Sequence, residues 1–197
     1  MAGQLALPLL PLDDAVVLPG MVVPIPLGSD GDSKARGAIE AANAALDLDT
    51  APDSDDPATP ADQSDSINDS AGKGRVVLVP RLDGKYAAVG TIGVIEQIGR
   101  LPGGGTAAVV RATRRVRTGT ATTGPGTALW VNVDLQDSPV IDDETTALSR
   151  DYRGLVTTIL QQRGAWQVID SVKQMTDPEA LADLAGYAPY LSDEQKL

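Results

Sequence analysis

Cysteine, histidine and phenylalanine are all absent from this 197-residue chain. Without cysteine, a disulfide scaffold is excluded. Without cysteine and histidine, the chain has no thiolate nucleophile, no imidazole base and no zinc or haem site of the usual kinds. Candidate chemistry is therefore limited to carboxylates, hydroxyls, lysine and arginine. We predict no metal site and no cofactor in this chain.

Positive charge is also scarce, with 16 Lys+Arg against 27 Asp+Glu and a formal net charge of -11. Eight of the aspartates lie between positions 47 and 70, where there is no lysine or arginine. The remaining residues are nearly balanced in charge. Because phosphate binding depends on clustered cationic side chains, nucleic acid is not expected as a partner.

Long apolar runs are missing as well. The most apolar stretch, 15–27, is interrupted by Pro19, Gly20, Pro24 and Pro26, and it is shorter than the roughly 20 residues that a bilayer requires. The N-terminus carries no basic region of the kind that starts a secretory signal. We therefore expect no membrane association and a cytoplasmic location.

The first part of the chain predicts short strands and one helix. The runs LALPLLPL, AVVL and MVVPIPL are punctuated by prolines, which favour edge strands. A helix is predicted over about 33–46, capped by Asp32 or Ser33. The segment 47–74 is acidic and poor in large apolar residues, which predicts a disordered loop. A cation site or an electrostatic attraction for basic substrates is the alternative for this loop.

From Arg75 the pattern is that of strands separated by turns. Asp83-Gly84 suits a two-residue hairpin, and Gly-rich turns follow at 102–105 and 124–126. Strands at this spacing indicate a meander or a small barrel. Trp130, within the last of these strands, is interpreted as a packing residue of the core or of a domain boundary.

After Pro139 the apolar spacing becomes helical. One face of the first helix is predicted to carry Leu148, Tyr152, Leu155, Val156, Ile159 and Leu160, and Gly164 is predicted to end that helix. Capping-box patterns at Thr176 and Ser192 predict two later helix starts. The second of these lies close to Leu197, so we expect the chain to be a piece of a longer protein, with a frayed natural terminus as the alternative.

No catalytic constellation emerges from the sequence. A phosphate-binding P-loop is absent, since neither Gly72-Lys73 nor Gly84-Lys85 has the required neighbours. The adjacent Ser33-Lys34 pair has no supporting context, and the paired carboxylates precede predicted helices, where capping explains them. We therefore predict no catalytic residue.

Two groups of residues are candidates for binding. Arg111, Arg115 and Arg117 would share one face of a strand and contact an anionic partner, although a solvated or salt-bridged face is the alternative. Leu18, Pro19 and Met21 would form an apolar patch at a turn and contact substrate. For this second group the alternative is an ordinary turn over core residues.

The N-terminal run resembles the opening of the N-terminal domain of the Lon family of ATP-dependent proteases. The matching residues are Pro8-Leu-Leu-Pro-Leu12, Asp14 and Val16-Val-Leu-Pro-Gly-Met-Val-Val-Pro24; further matches are Val89-Gly-Thr-Ile-Gly-Val-Ile95, Leu101-Pro-Gly-Gly-Gly-Thr106, Arg114-Arg-Val-Arg117 and Leu191-Ser-Asp-Glu-Gln-Lys196. The chain departs from the family at Leu18, where phenylalanine is usual, and in its acidic insertion. The AAA+ ATPase module and the Ser-Lys protease domain of the family are missing.

The resemblance implies an α+β fold with two domains. The first, 1–138, is expected to be a β-rich, PUA-like pseudobarrel with one short helix and the insertion 47–74. The second, 139–197, is expected to be a helical bundle that is truncated at its C-terminal end.

The resemblance also implies a non-catalytic function. The expected role is recognition of unfolded, damaged or degron-bearing proteins through apolar surface, together with a contribution to hexamer assembly. ATP and magnesium are expected for the missing ATPase domain, and the ATPase and protease domains are the expected partners within the parent chain, an ATP-dependent Ser-Lys endopeptidase. The alternative is a free-standing Lon-N or PUA-like protein that acts as an adaptor or binds nucleic acid through Arg111–Arg117.

Overall fold

Seven strands form one sheet in the part of the chain that the structure describes, which is residues 5–13, 15–28, 36–49, 74–100, 105–136, 140–189 and 191–197 of a computed structural model. The strands are β1 (Leu5–Asp13), β2 (Val22–Gly28), β3 (Arg75–Leu82), β4 (Lys85–Tyr86), β5 (Val89–Arg100), β6 (Thr106–Thr122) and β7 (Trp130–Leu135). The helices are α1 (Arg36–Asp49), α2 (Asp143–Gln162), α3 (Trp166–Gln174), α4 (Pro178–Asp183) and α5 (Asp193–Lys196), with a 3₁₀ helix over Leu184–Tyr187.

Five of the strands close into a ring. Their order is β1-β7-β6-β5-β3, and β3 pairs in parallel with β1, with Leu9 opposite Val77 and Asp13 opposite Arg81. Strand β2 adds to β6, and β4 adds to β3 through a hairpin. The predicted β-rich N-terminal part is therefore confirmed, with one helix among its described residues, whereas the PUA-like label is not confirmed.

Two apolar cores lie on opposite faces of this ring. The inner core takes side chains from all five ring strands: Leu7, Leu9, Val77, Val79, Ile92, Val116, Val131 and Val133. The outer core lies beneath β2, α1 and the loop 15–21, and includes Leu10, Leu78 and Val110. Alternate residues of β1 and β3 enter different cores, which explains why both strands are apolar almost throughout.

The prolines of the N-terminal strands sit where a strand lacks one neighbour. In the described part of the chain, strand β2, with Pro24 and Pro26, pairs only with β6, as predicted for an edge strand. Strand β1 pairs with β7 over residues 5–8 and with β3 over residues 9–13, so each half has one partner among the described strands. Residues 15–18, predicted as an extended piece, form no strand, although Val16, Val17 and Leu18 are buried.

The predicted hairpin at Asp83-Gly84 is confirmed. Both residues have positive φ, 49° and 76°, the left-handed conformation that a two-residue turn between twisted strands requires. Trp130 is 4% exposed, and its indole Nε1 donates a hydrogen bond to the carbonyl of Pro125 at 3.0 Å. The interpretation of Trp130 as a core residue is therefore confirmed.

The starts and ends of the helices agree with the capping and stop signals in the sequence. Asp142 caps α2, accepting a hydrogen bond from the Thr145 amide at 2.7 Å, and the hydrogen bond to Thr145 lowers the pKa of the Asp142 carboxyl. Gly164 follows α2 with φ +71°, as predicted for a helix stop. The cap of α4 is Asp177 rather than the predicted Thr176, because Pro178 occupies the first helical position.

The predicted helical bundle is not confirmed. Helix α2 packs against α3 and α4, yet none of its twenty residues is buried, and Leu148 and Leu155 are 67% and 64% exposed. The buried apolar residues of α3 and α4 are Ile169, Val172 and Leu181. No helix among the described residues is long and apolar enough to cross a membrane.

Two predictions concern residues largely outside the described ranges. Helix α1 runs through Asp49, so the segment predicted as a loop from 47 begins in a helix, and its residues 50–73 lie outside the described part of the chain. The proposed helix caps Asp32 and Ser33 lie outside it as well.

Replacing Gly124 with alanine is expected to destabilise the fold by about 2–3 kcal/mol. A Cβ at this position would lie 2.1 Å from Cδ2 of the Trp130 ring, which is buried and has little freedom to move. Urea unfolding followed by circular dichroism measures the change.

The control for this prediction is Gly154→Ala, in the exposed middle of α2, where a Cβ would meet no atom within 4 Å. Because alanine favours helix more than glycine does, this change should raise the free energy of unfolding by up to about 1 kcal/mol. Equal losses of stability in both variants would contradict the steric explanation.

Candidate functional site

A half-open cleft of about 800 Å³ lies between the strand ring and the helices that follow it. Its floor is formed by the turn at Pro19-Gly20 and by Thr113, Arg114 and Arg115 of β6; the remaining lining residues are Val89, Gln136, Met175, Asp177, Glu179, Ala180, Asp183, Leu184, Tyr187 and Leu197. Clefts of this volume are typical of sites that hold a small molecule or a short chain segment.

The Pro19-Gly20 turn on the floor of the cleft is held against β6 by main-chain hydrogen bonds. The Gly20 amide donates to the Ala112 carbonyl at 2.9 Å, and the Ala112 amide donates to the Met21 carbonyl at 2.8 Å. Thr91 adds a side-chain bond to this region, from its hydroxyl to the Val17 carbonyl at 2.8 Å. The turn is therefore a fixed part of the cleft floor.

The predicted apolar patch at this turn is mostly covered. Leu18 is 5% exposed and Met21 is 7% exposed, and both belong to the outer core. The Met21 sulfur accepts a hydrogen bond from the Leu18 amide at 3.3 Å, which turns its side chain inward. The expectation that Leu18 and Met21 are exposed is therefore wrong, whereas Pro19 lines the cleft.

A bulge separates the arginines that were predicted to share one face of a strand. Ile92 pairs with Arg114 and Gly93 pairs with Ala112, which leaves Thr113 as an extra residue in β6. Before the bulge, the even-numbered residues Ala108, Val110 and Ala112 enter the outer core. After the bulge, Val116 is also even-numbered but enters the inner core. The alternation is thus reversed at the bulge, and the prediction that Arg111 lies on the face of Arg115 and Arg117 is wrong.

The arginines also differ in their partners. Arg111 forms an exposed ion pair with Glu96 at 2.6 Å. Arg115 forms an ion pair with Asp183 of α4, which joins the floor of the cleft to its helical wall. The guanidinium groups of Arg111 and Arg115 are already paired, and Arg117 lies at an exposed position of β6. These three arginines therefore do not form the contiguous basic face that binding to nucleic acid requires.

Asp183 is the most unusual carboxylate of the site. Its side chain is only 7% exposed, whereas that of Arg115 is 37% exposed. Burial raises the pKa of the Asp183 carboxyl; the nearby Arg115 guanidinium opposes this rise, and the negative charges of Glu179 and Asp177 add to it. Arg115 therefore holds the carboxylate in place against a considerable cost of desolvation.

The helical wall brings together residues that no sequence motif marks as functional. The Asp177 carboxylate accepts hydrogen bonds from the amides of Glu179 and Ala180, which fixes the start of α4. Tyr187, at the end of the 3₁₀ helix, is 59% exposed, and Leu197 is 48% exposed. The cleft thus combines apolar and aromatic surface with charged groups of both signs.

Neither catalysis nor metal binding is suggested by this geometry. Within the described residues, no group of three or more acidic side chains is arranged to hold a metal ion. The lining has no serine beside a lysine and, like the whole chain, no histidine or cysteine. A cleft with these side chains can bind a chain segment by apolar contact and charge.

Comparison with known proteins places this chain in a family. The sequence model of the ATP-dependent protease La (LON) substrate-binding domain matches residues 6–197. The chain belongs to this family. The resemblance to Lon N-terminal domains that the sequence suggested is confirmed.

Individual relatives agree with this assignment. The chain is 44% identical to the Lon protease of Mycolicibacterium smegmatis over 196 residues, which is 100% of this chain and 21% of that protein. It is also 44% identical to the Lon protease of Salinispora arenicola over 190 residues, 96% of this chain and 21% of that protein. The chain therefore spans about a fifth of the length of these relatives.

Solved structures support the fold. The N-terminal domain of Mycobacterium avium complex Lon protease matches with a TM-score of 0.74 and 43% identity, over 98% of this chain and 87% of that one. The Lon N-terminal domain protein from Xanthomonas campestris matches with a TM-score of 0.54 and 18% identity, with the same coverage of both chains, which supports the fold alone.

The raised pKa of Asp183 predicts a pH dependence of stability for this Lon substrate-binding domain. The folded chain binds the Asp183 proton more tightly than the unfolded chain does. This group's contribution to stability is therefore fully present below the ordinary aspartate pKa and is lost as the pH rises through the raised value.

We expect the free energy of unfolding of the unmodified chain, measured relative to that of Asp183→Asn, to fall as the pH rises across this window. Urea titrations at a series of pH values measure the difference, because the other carboxylates are common to both proteins and cancel. A difference that grows with pH would show that Arg115 outweighs burial at this site.

Proposed function

We propose that this Lon substrate-binding domain holds segments of unfolded, damaged or degron-bearing proteins in the cleft between the strand ring and α4. The cleft itself is the observation that supports this proposal most directly. It is large enough for a short segment, open to solvent on one side, and lined by Pro19, Val89, Met175, Leu184 and Tyr187 beside charged groups.

The proposed mechanism is apolar contact steered by charge. Unfolded chains expose the apolar side chains that folded proteins bury, and such side chains can displace water from the cleft. Tyr187 offers an exposed aromatic ring at the rim, a type of residue that often dominates binding energy. Contacts of this kind are weak and tolerant of sequence, as recognition of many different unfolded proteins requires.

The parent protein is proposed to be an ATP-dependent Ser-Lys endopeptidase of the cytoplasm. In it, an ATPase domain using ATP and magnesium and a protease domain would act on the segments that this domain holds. Assembly into a hexamer would place several copies of the cleft close together, so that weak single contacts add up to useful avidity. The relatives named Lon protease, about five times longer than the matched region, support this proposal.

Replacing Tyr187 with serine is expected to weaken binding of an unfolded protein by roughly five- to tenfold, because an exposed aromatic contact at the cleft rim is removed. Fluorescence anisotropy measures the dissociation constant, with a reduced and carboxymethylated protein as the labelled ligand. Binding should survive high salt, since the proposed contacts are mainly apolar.

Tyr86 supplies a matched control, because it is 47% exposed on β4 and does not line the cleft. Tyr86→Ser should leave the dissociation constant unchanged. Equal losses in both variants would place the binding surface elsewhere, and loss of binding in high salt alone would assign recognition to charged groups. Absence of binding by the unmodified chain would contradict the proposed function.

A further inference from the structure

The helices that follow the ring touch it at a small joint. These helices pack mainly against one another, α2 against α3 and α2 against α4. At the joint, Arg115 of β6 pairs with Asp183 of α4, Gly186 lies on the loop 18–21, and Leu197 lies beside Val16 and Val17. Among the described residues, these contacts hold α4 and the 3₁₀ helix over the ring.

Gly186 makes the closest of these contacts. A Cβ at this position would lie 2.5 Å from the Met21 sulfur and 3.5 Å from two carbon atoms of Leu18, so only a glycine fits without displacement. The 3₁₀ helix therefore rests directly on the two apolar residues of the turn. This contact contributes to their low exposure, 5% for Leu18 and 7% for Met21.

The ion pair that accompanies this contact is a weak fastening. Removing the Asp183 carboxylate from water is costly, and Arg115 is its ion-pair partner among the described residues. Arg115 itself keeps more than a third of its side chain in water, so it loses little if the pair separates. The pair gives the joint a definite geometry, while its attraction does not outweigh the cost of burying the carboxylate.

We propose that α4 and the 3₁₀ helix form a lid over Leu18 and Met21, fastened by the Arg115–Asp183 ion pair, and that its opening lets an apolar polypeptide segment bind these two residues. The proposal rests on the proposed function and adds a control of access to it. Opening of the lid widens the cleft and uncovers Leu18 and Met21 at its floor. A polypeptide segment that contacts Pro19 and Tyr187 can then extend over these two apolar side chains.

The opening can be measured without any polypeptide ligand. The chain has three methionines, and peroxide oxidises each thioether to a sulfoxide at a rate that follows its exposure. Arg115→Gln removes the ion pair, and in Gly186→Ala the new Cβ lies too close to the Met21 sulfur for the closed arrangement. Each change should accelerate oxidation of Met21 severalfold relative to its rate in the unmodified chain. Peptide mass spectrometry of timed samples measures this rate in each protein.

Two control variants make the measurement specific. Arg117→Gln removes a positive charge two residues away on the same strand and should leave the Met21 rate unchanged. Arg115→Lys keeps the charge and should give an intermediate rate. Circular dichroism checks that each variant is folded, and Gly186→Ala tests the lid even if Arg115→Gln is too unstable to use. Unchanged Met21 oxidation in Gly186→Ala and in a folded Arg115 variant overturns the lid.

The second measurement is the affinity for the labelled unfolded protein. Both opening variants should bind it severalfold more tightly than the unmodified chain does, because less free energy is needed to open the lid. Faster oxidation with unchanged or weaker affinity would overturn the proposed role of Leu18 and Met21 in binding. If no form binds the ligand, the proposed function fails, while the oxidation rates still decide whether the lid exists.

Discussion

The parallel pairing of β1 with β3 is the contact on which the rest of the fold depends. It closes the ring, and it places Leu9 beside Val77 in the inner core and Leu10 beside Leu78 in the outer one. Two parallel neighbours cannot be joined by a tight turn, so the chain between them needs a long crossover. That crossover carries the Pro19-Gly20 turn, β2 and α1, and its apolar side chains cover the outside of the ring. The turn at the cleft is therefore a consequence of how the ring closes.

A single extra residue, Thr113, then decides what the cleft contains. Strand β6 is long enough to serve both cores, and the bulge at Thr113 moves its apolar side chains from the outer core to the inner core. The same reversal turns Arg115 outward, toward Asp183, and separates it from Arg111. Without the bulge, Val116 would face outward and Arg115 would point into the ring. The electrostatics of the cleft and the packing of the ring are thus set by one irregularity.

Local signals in the sequence were sufficient for the elements but not for the site. Turn pairs such as Asp83-Gly84, helix ends such as Gly164 and the Ser192 cap act over a few residues, and the structure has all three. Pro178 also carried the signal that identifies Asp177 as a cap, because proline favours the first helical position.

The bulge at Thr113 has no such signal, since no glycine or proline marks it. The Arg115–Asp183 pair joins residues 68 positions apart, and the covering of Met21 by Gly186 is equally non-local. A turn rich in apolar residues looks the same in sequence whether solvent or a later helix lies above it.

A weakly fastened lid suits a domain that must release what it binds. If many contacts favoured the closed state, opening would cost a large free energy. This cost would reduce the favourable free energy of binding for every segment, and few segments would bind. If nothing held the lid, Leu18 and Met21 would be exposed permanently, and a chain with apolar surface of this kind tends to self-associate. An ion pair whose attraction is offset by the cost of burying the carboxylate lies between these limits. On the proposed mechanism, burial of the Asp183 carboxylate therefore keeps this contact weak, so that the lid can open.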